Sequence, residues 1–557
     1  MSLILPTLLL LSASQSPGGG FETIYQWEAS LSNGQFANSV STAGDVDGDG
    51  FDDVIIGIRN DDQNGLYGNG SAMVYSGANG SLLHHWSGVA DNEGFGWDVS
   101  TAGDVNADGY ADLIVGLPKR TLRGVPFAGS AIVYSGATGA KLYQWNGAAS
   151  NDGFGFSVSS AGDANADGFD DVIIGGLLTD FAGVADCGTA TLYSGADGSV
   201  LQQWGGLITG AEFGNSVSGG GDVNMDGYDD VIVSNNFAQF HSYVWVFSGY
   251  DGRIIHQIEE PSEPYFAWKV SHMEDLNGDG HDEIIVANLY AEHHNLYDAG
   301  SVYVYSGSNA SMLFRFDGQE DFEYFGHSAS SAGDVNGDGI ADIVVGSSGF
   351  DGGAQYDDRG AVSIFSGADG SLLFNQIGAQ VDDHYGYTVA GAGDVNANGF
   401  DDIIAGTPWR EAAGHFAVGM ANVIGLNPYL SANFDSVSAA SGGALRMDLD
   451  FPTDRAFLDY KVLMSATGVG PTFFGVDIPL TQDALTVDTY YGNYPTPNHY
   501  NMHGTLNADG NSNATLTIPS GLPISLIGNT YFLAAIAFPQ GLPPEISSVA
   551  ISVTITP

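Results

Sequence analysis

Basic residues are nearly missing from this chain: 13 Lys and Arg stand against 66 Asp and Glu in 557 residues, a formal net charge of −53. Phosphate neutralisation needs clusters of Lys and Arg, so nucleic-acid binding is excluded, and docking on anionic lipid with it. Cysteine is nearly missing too. Cys187 stands alone, so no disulfide within the chain can brace its loops. After an apolar run from Leu3 to Leu11, no segment has the ~18 consecutive apolar residues of a membrane span. No G-x-S-x-G elbow, H-E-x-x-H pair or phosphate-binding loop occurs, which removes the common signatures of hydrolases, zinc peptidases and nucleotide enzymes. Long helical patterns are absent as well.

What is present is glycine, 80 residues of it, with 43% hydrophobic and 11% aromatic residues. That composition excludes disorder as the source of the charge and reads as many short strands joined by tight turns. Residues 1–20, MSLILPTLLLLSASQSPGGG, combine a short apolar run with small residues around Ala13. They read as an export signal and linker, although the basic opening of such signals is missing.

An internal repeat organises the rest. DVDGDGFDD at Asp45 recurs as variants at Asp104, Asp163, Asp222, Asp275, Asp334 and Asp394, at steps of 59, 59, 59, 53, 59 and 60 residues. Each copy is followed by a β-branched run such as VIIG or IVVG, the pattern of a buried strand. A Ser-Gly hairpin marker follows at Ser76, Ser135, Ser194, Ser248, Ser306 and Ser366, and lies 27 or 28 residues before the next Asp loop. Four strands per repeat and a period near 60 predict an all-β fold, a seven-bladed propeller.

Closure of the ring is legible at the termini. Trp86, Trp145 and Trp204 each lie 18 residues before the next Asp loop, in the fourth strand of a blade, and so does Trp27 before Asp45. No hairpin precedes Trp27. Residues 21–30 therefore supply the missing fourth strand to the last blade, whose third strand is MANVIG from Met420 to Gly425, and no sheet edge is left open. The propeller is expected over 21–428. A separate C-terminal β-sandwich is expected over 429–557, where apolar and polar residues alternate between turn clusters.

Within each nine-residue loop, oxygen donors stand at positions 1, 3, 5 and 9, with Gly at position 6. Hard cations take six to eight oxygens, and Ca²⁺ tolerates irregular geometry. The candidate metal ligands are Asp45, Asp47, Asp49 and Asp53; then Asp104, Asn106, Asp108 and Asp112; then Asp163, Asn165, Asp167 and Asp171; then Asp222, Asn224, Asp226 and Asp230. The fifth loop offers Asp275, Asn277, Asp279 and Glu283, the sixth Asp334, Asn336, Asp338 and Asp342, and the seventh Asp394, Asn396, Asn398 and Asp402. Up to seven Ca²⁺ are expected. Position 12 is apolar in every copy, so the bidentate Glu of an EF-hand is missing and position 9 must close each site. The seventh site, with two carboxylates, is the poorest.

Phe95-Gly96, Phe154-Gly155, Phe213-Gly214 and Phe325-Gly326, followed by Asp loops and IVG-type strands, resemble FG-GAP repeats over residues 21–426. Such repeats build the N-terminal propeller of integrin α subunits and related secreted bacterial proteins. The resemblance implies Ca²⁺ in the loops and ligand or partner binding on the propeller faces. Phe36-Ala37, Phe266-Ala267 and Tyr385-Gly386 depart from the motif.

The loops between second and third strands vary in length and carry Arg59, Lys119, Arg120, Arg123, His293, Trp409 and Arg410, the types of residue that anchor recognition surfaces. They must emerge on the face opposite the Asp loops. His84-His85 and His293-His294 are adjacent pairs, which would point to opposite faces of a strand rather than share a metal. The functional expectation is a secreted or cell-surface, calcium-binding, non-catalytic adhesion or recognition module with an extracellular protein or glycan ligand. A carbohydrate-active hydrolase or lyase on the same scaffold is the alternative.

Overall fold

The computed structural model describes residues 21–29, 34–236, 242–260, 265–353, 357–411 and 417–426 in full, with a strand at residues 7–8 and the strands of 430–556 as backbone alone. Every element among the described residues is a strand, and no described helix is long and apolar enough to cross a membrane.

Blade 1 consists of Phe36–Gly44, Asp53–Ile58, Ser71–Tyr75 and Leu82–Ser87, paired antiparallel in chain order. Five more four-stranded sheets repeat it, opening at Val99, Phe154, Phe213, Lys269 and Phe325. The seventh sheet contains Thr388–Gly393, Asp402–Thr407 and Met420–Leu426, and its outer place is taken by Phe21–Glu28. The ring closes as its termini require. Thr7–Leu8 pairs on the outer side of Phe21–Glu28; the remainder of the expected export signal lies outside the described residues.

The second strands are the β-branched runs, and all six residues of Asp53–Ile58 and of Asp112–Leu117 are buried. A strand covered on both faces by neighbouring blades must be apolar throughout rather than alternating. Ile55, Val74, Phe95, Leu113 and Val115 form one cluster between blades 1 and 2, and equivalent clusters fill the junctions from blade 2 to blade 6 and from blade 7 to blade 1.

Three sets of polar contacts fix the ring. Each outer-strand tryptophan donates its indole N–H to a hairpin glycine of the next blade: Trp86 to Gly139 at 2.9 Å, Trp145 to Gly198 at 2.9 Å and Trp204 to Gly252 at 2.9 Å. Trp27 does the same to Gly80 of blade 1 at 3.1 Å, which confirms its place in blade 7. Near the axis, Ser39 Oγ accepts from Val99 N at 3.1 Å, Ser157 from Val217 at 3.1 Å, Ser216 from Val270 at 3.2 Å and Ser328 from Val389 at 3.1 Å. In blade 2 Asp98 replaces the serine and accepts from Val158 N at 2.9 Å.

The Phe-Gly pairs make the third set. Phe95, Phe154 and Phe213 bridge in parallel to Gly70, Gly129 and Gly188 of the preceding blade. Gly96 has φ +75°, and a Cβ there would run into the Ser71 carbonyl oxygen. Ala37 and Ala267, the departures from the motif, hold the same left-handed conformation at φ +61° and +71°. Phe36 and Phe266 are as deeply buried as Phe95.

The C-terminal unit, taken by itself, contains a four-stranded sheet built on Gly443–Asp450 and Asn511–Ile518 and a six-stranded sheet built on Asp459–Ser465, Thr530–Phe538 and Ile551–Thr556. Two sheets are what a sandwich requires. Pairing is antiparallel except for Ser436–Ser438, which runs parallel to Ile551–Thr556.

Candidate metal centres and the opposite face

Each Asp loop joins a first strand to a second, so all seven lie on one face of the disc, beside the Ser-Gly hairpins. The loop shape is imposed by its first residue. Asp45 Oδ1 accepts from Gly48 N at 2.7 Å and Asp49 N at 3.1 Å, while Oδ2 accepts from Gly50 N at 3.0 Å. Asp104, Asp163, Asp222, Asp275 and Asp394 repeat the contact to positions 5 and 6, and Asp334 repeats that to Gly339. Glycine is needed at position 6, where φ is between +86° and +89° in every loop.

Position 9 explains why the two sequence markers travel together. Asp53 is fully buried; Oδ2 accepts from Val46 N at 3.0 Å, and Oδ1 from Gly77 N of the Ser-Gly hairpin at 2.9 Å. Asp112 and Asp342 hold the same pair of donors, and Asp171 and Asp230 hold the hairpin glycine. Glu283 accepts from Leu276 N at 2.7 Å, and Asp402 from Val395 N at 3.0 Å. Burial drives these carboxyls up, against the donors that hold them down: Asp53, Asp112, Asp171 and Glu283 to about 7, Asp230 and Asp402 to about 8. Metal-free, each is a buried acid without a counter-charge.

In two of the loops ligand positions converge. Carboxylate oxygens of Asp45, Asp47 and Asp49 lie within 4.8 Å of one another, as do those of Asp275, Asp279 and Glu283. Asp47 is held above its ordinary range by partial desolvation and then by the charges of Asp49 and Asp45. The side-chain amides of Asn106, Asn224, Asn277 and Asn396 reach the position-9 carboxylate of their own loops. In the third loop, Asn165 Oδ1 is a buried acceptor with no donor. An orphaned oxygen at position 3 fits a bound hard cation, which satisfies acceptors without supplying a hydrogen.

The first Asp of each FDD or YDD run, at loop position 8, was not among the expected site residues, and it binds the neighbouring blade. Asp170 accepts from Asp104 N at 2.7 Å, Asp229 from Asp163 at 2.8 Å, Asp401 from Asp334 at 2.8 Å and Asp52 from Asp394 at 3.1 Å. Asp52 therefore ties blade 1 to blade 7 across the closure. Ala111 and Ala341 occupy this position in blades 2 and 6. The doubled Asp was the available signal.

On the opposite face, the residues after the Phe-Gly pairs ring the axial cavity of about 330 Å³: Asn38, Trp97, Phe156, Asn215, Trp268, His327 and Tyr387. The basic residues of the second-to-third loops divide here. Arg120 pairs with buried Glu93 at 3.2 Å and Arg410 with Glu28 at 3.2 Å, so both brace the fold. Arg59 and Lys119 instead stack over Trp97, 5.0 and 4.6 Å from its ring centre. His293 and His294 lie on a loop, not a strand, and their Nδ1 atoms are 3.3 Å apart. Asp317 completes a His-His-Asp group, but it already accepts from Arg315 Nε at 2.7 Å and Ser301 Oγ at 2.6 Å. Cys187 is buried, and its Sγ donates to backbone carbonyls.

With this geometry in hand, the family model described as FG-GAP repeat matches residues 95–134 and 213–254, and that described as FG-GAP-like repeat matches 275–345. The matched blades are FG-GAP repeats. The propeller they form is integrin-like: integrin alpha-5 of Xenopus laevis is 32% identical over 211 residues, 35% of this chain and 20% of that protein. Integrin alpha-V of Gallus gallus is 28% identical over 204 residues, 34% of this chain and 19% of the relative. Integrin alpha-8 of Gallus gallus is 32% identical over 213 residues, 35% and 19%. The chain thus spans about a fifth of the length of these relatives.

Proposed function

We propose that the protein is a secreted or cell-surface recognition module: an FG-GAP propeller whose loops hold Ca²⁺ and whose opposite face takes an extracellular protein or glycan without chemical conversion. The observation that carries the reading is the convergence of carboxylates in two of the loops, at positions 1, 3 and 5 of the first and 1, 5 and 9 of the fifth, with a buried unpartnered acceptor at Asn165 of the third. Hard oxygen donors in irregular geometry suit Ca²⁺ better than Mg²⁺, which demands a strict octahedron. Bound cations would offset the crowded loop carboxylates and stiffen the face that sets the register of the first strands. The likeness to integrin α chains supports recognition over catalysis. Calorimetry with Ca²⁺ and with Mg²⁺, followed by the Ca²⁺-loaded protein on a glycan and protein array, tests it. Ca²⁺ uptake and ligand retention without product are expected; turnover of a retained glycan refutes the non-catalytic reading.

A further inference from the structure

On a protein of net charge −53, three cations without an ion pair gather at one place. Arg59, Lys119 and Lys269 all stand at the axial cavity or over its rim: Arg59 and Lys269 line it, and Lys119 lies on Trp97, which lines it. Among the described residues none of the three has a carboxylate within ion-pair distance, whereas Arg120, Arg315, Arg359 and Arg410 all do. The one carboxylate in the wall, Asp98, is engaged by Ser39 Oγ at 3.1 Å and Val158 N at 2.9 Å.

The local field is accordingly positive. Burial first, and then the charges of Lys269, His384 and Arg59, drive His327 down to about 4. Burial and the Arg59 charge lower Lys119. Around these cations stand flat rings: Trp97 lies 5.7 Å from Phe156, and His327 lies 4.2 Å from Tyr387 and 6.2 Å from Trp268. Serine hydroxyls line the wall below.

We infer that the channel mouth is a binding site for a carboxylate-bearing sugar, a uronate whose ring stacks on the aromatic rim and whose carboxylate is held by Arg59 and Lys119. The inference rests on the reading of the propeller as a recognition module and names its ligand class. A cationic ligand is disfavoured, because the chain's own cations already cover the Trp97 face and would repel it. A cavity of about 330 Å³ is at the small end for ligand sites and suits one or two sugar rings. Hydroxyl-lined walls suit a polyhydroxylated ring better than an apolar one.

The test is titration calorimetry on the full Ca²⁺-loaded chain with galacturonate and glucuronate disaccharides, their methyl esters and a hexaglutamate peptide, at low and high salt. A uronate disaccharide should bind, weaken with salt, and exceed its ester by roughly tenfold or more, as expected for a desolvated charge pair. Lys119→Met and Arg59→Met should each lose about that factor with the Ca²⁺-dependent melt unchanged. Lys269→Met provides a second route should either variant melt early. Equal binding of acid and ester, or binding indifferent to all three variants, overturns the site. Binding of hexaglutamate alone, lost in the same variants, overturns the sugar assignment and leaves the recognition module standing. Absence of all binding in a protein that still takes up Ca²⁺ overturns the uronate site alone; a melt indifferent to Ca²⁺ overturns the calcium reading beneath it.

Discussion

Removing cations should destabilise the propeller strongly at pH 8 and much less at pH 5. Six position-9 carboxyls, Asp53, Asp112, Asp171, Asp230, Glu283 and Asp402, are fully buried and lie at about 7 or 8 in the metal-free fold, against about 4 in an unfolded chain. Between those limits the folded state binds more protons than the unfolded state, so stability falls as pH rises from about 4 to about 8. A single pKa unit on each of six groups is already roughly 8 kcal/mol, comparable with the whole stability of a domain. A bound cation replaces the protons as counter-charge and cancels the slope. The assay is a melt followed by fluorescence in excess chelator and in excess Ca²⁺ across this pH range. The chelated protein should melt lower at pH 8 than at pH 5, with the gap closed by Ca²⁺. A chelated melt that rises with pH, or one that matches the Ca²⁺ melt at pH 8, refutes the reasoning.

Three further outcomes follow from single residues. Gly96→Ala puts a Cβ into the Ser71 carbonyl at φ +75° and should lower stability by about 2 kcal/mol or more in urea titration, while Ala37→Gly, at a site already strained, should be near neutral. Asp52→Ala removes the acceptor of Asp394 N across the ring closure; the loss should be about 1 kcal/mol, since Ala111 and Ala341 show the position tolerated, and a larger loss than 3 kcal/mol would mean another role. Asn398→Asp gives the seventh loop a third carboxylate and should tighten its weakest-class Ca²⁺ site in calorimetry, with an unchanged isotherm counting against Asn398 as a ligand.

The blade count, the strand order and the closure were legible because each is written in spacing. The 18-residue interval from Trp27 to Asp45 is the interval of three complete blades, and the indole bond to Gly80 is its structural meaning. The pairing of each Asp loop with the Ser-Gly marker that follows it likewise reflects a hairpin glycine held by the position-9 carboxylate, across a connection that varies in length. The roles of Asp52, Asp170, Asp229 and Asp401 were not legible, because their partners lie 66, 67 or 342 residues away and belong to another blade. A loop read as a local motif has no place for them. The same holds for the basic loop residues: only the fold separates Arg120 and Arg410, neutralised by Glu93, Glu28 and Asp383, from Arg59 and Lys119 over Trp97.

The two faces of the propeller are joined by the first strands, and this gives the acidity a purpose. Phe154–Gly162 begins at the Phe-Gly docking point, carries Phe156 into the channel rim, donates the Ser157 hydroxyl site that receives Val217 N, and ends at the third Asp loop. Its far end is set by Asp163, Asp171 and the neighbouring Asp229. A cation that locks those carboxylates also fixes the register of the strand, and so the position of an aromatic ring a strand's length away. The carboxylates clustered in the Asp loops of one face, and Arg59, Lys119 and Lys269 without an ion pair at the other, are then two halves of a single arrangement. On the proposed reading, cation-filled acidic loops brace a scaffold that has no disulfide to brace it, and three of the chain's few cations, Arg59, Lys119 and Lys269, are kept where a ligand can meet them.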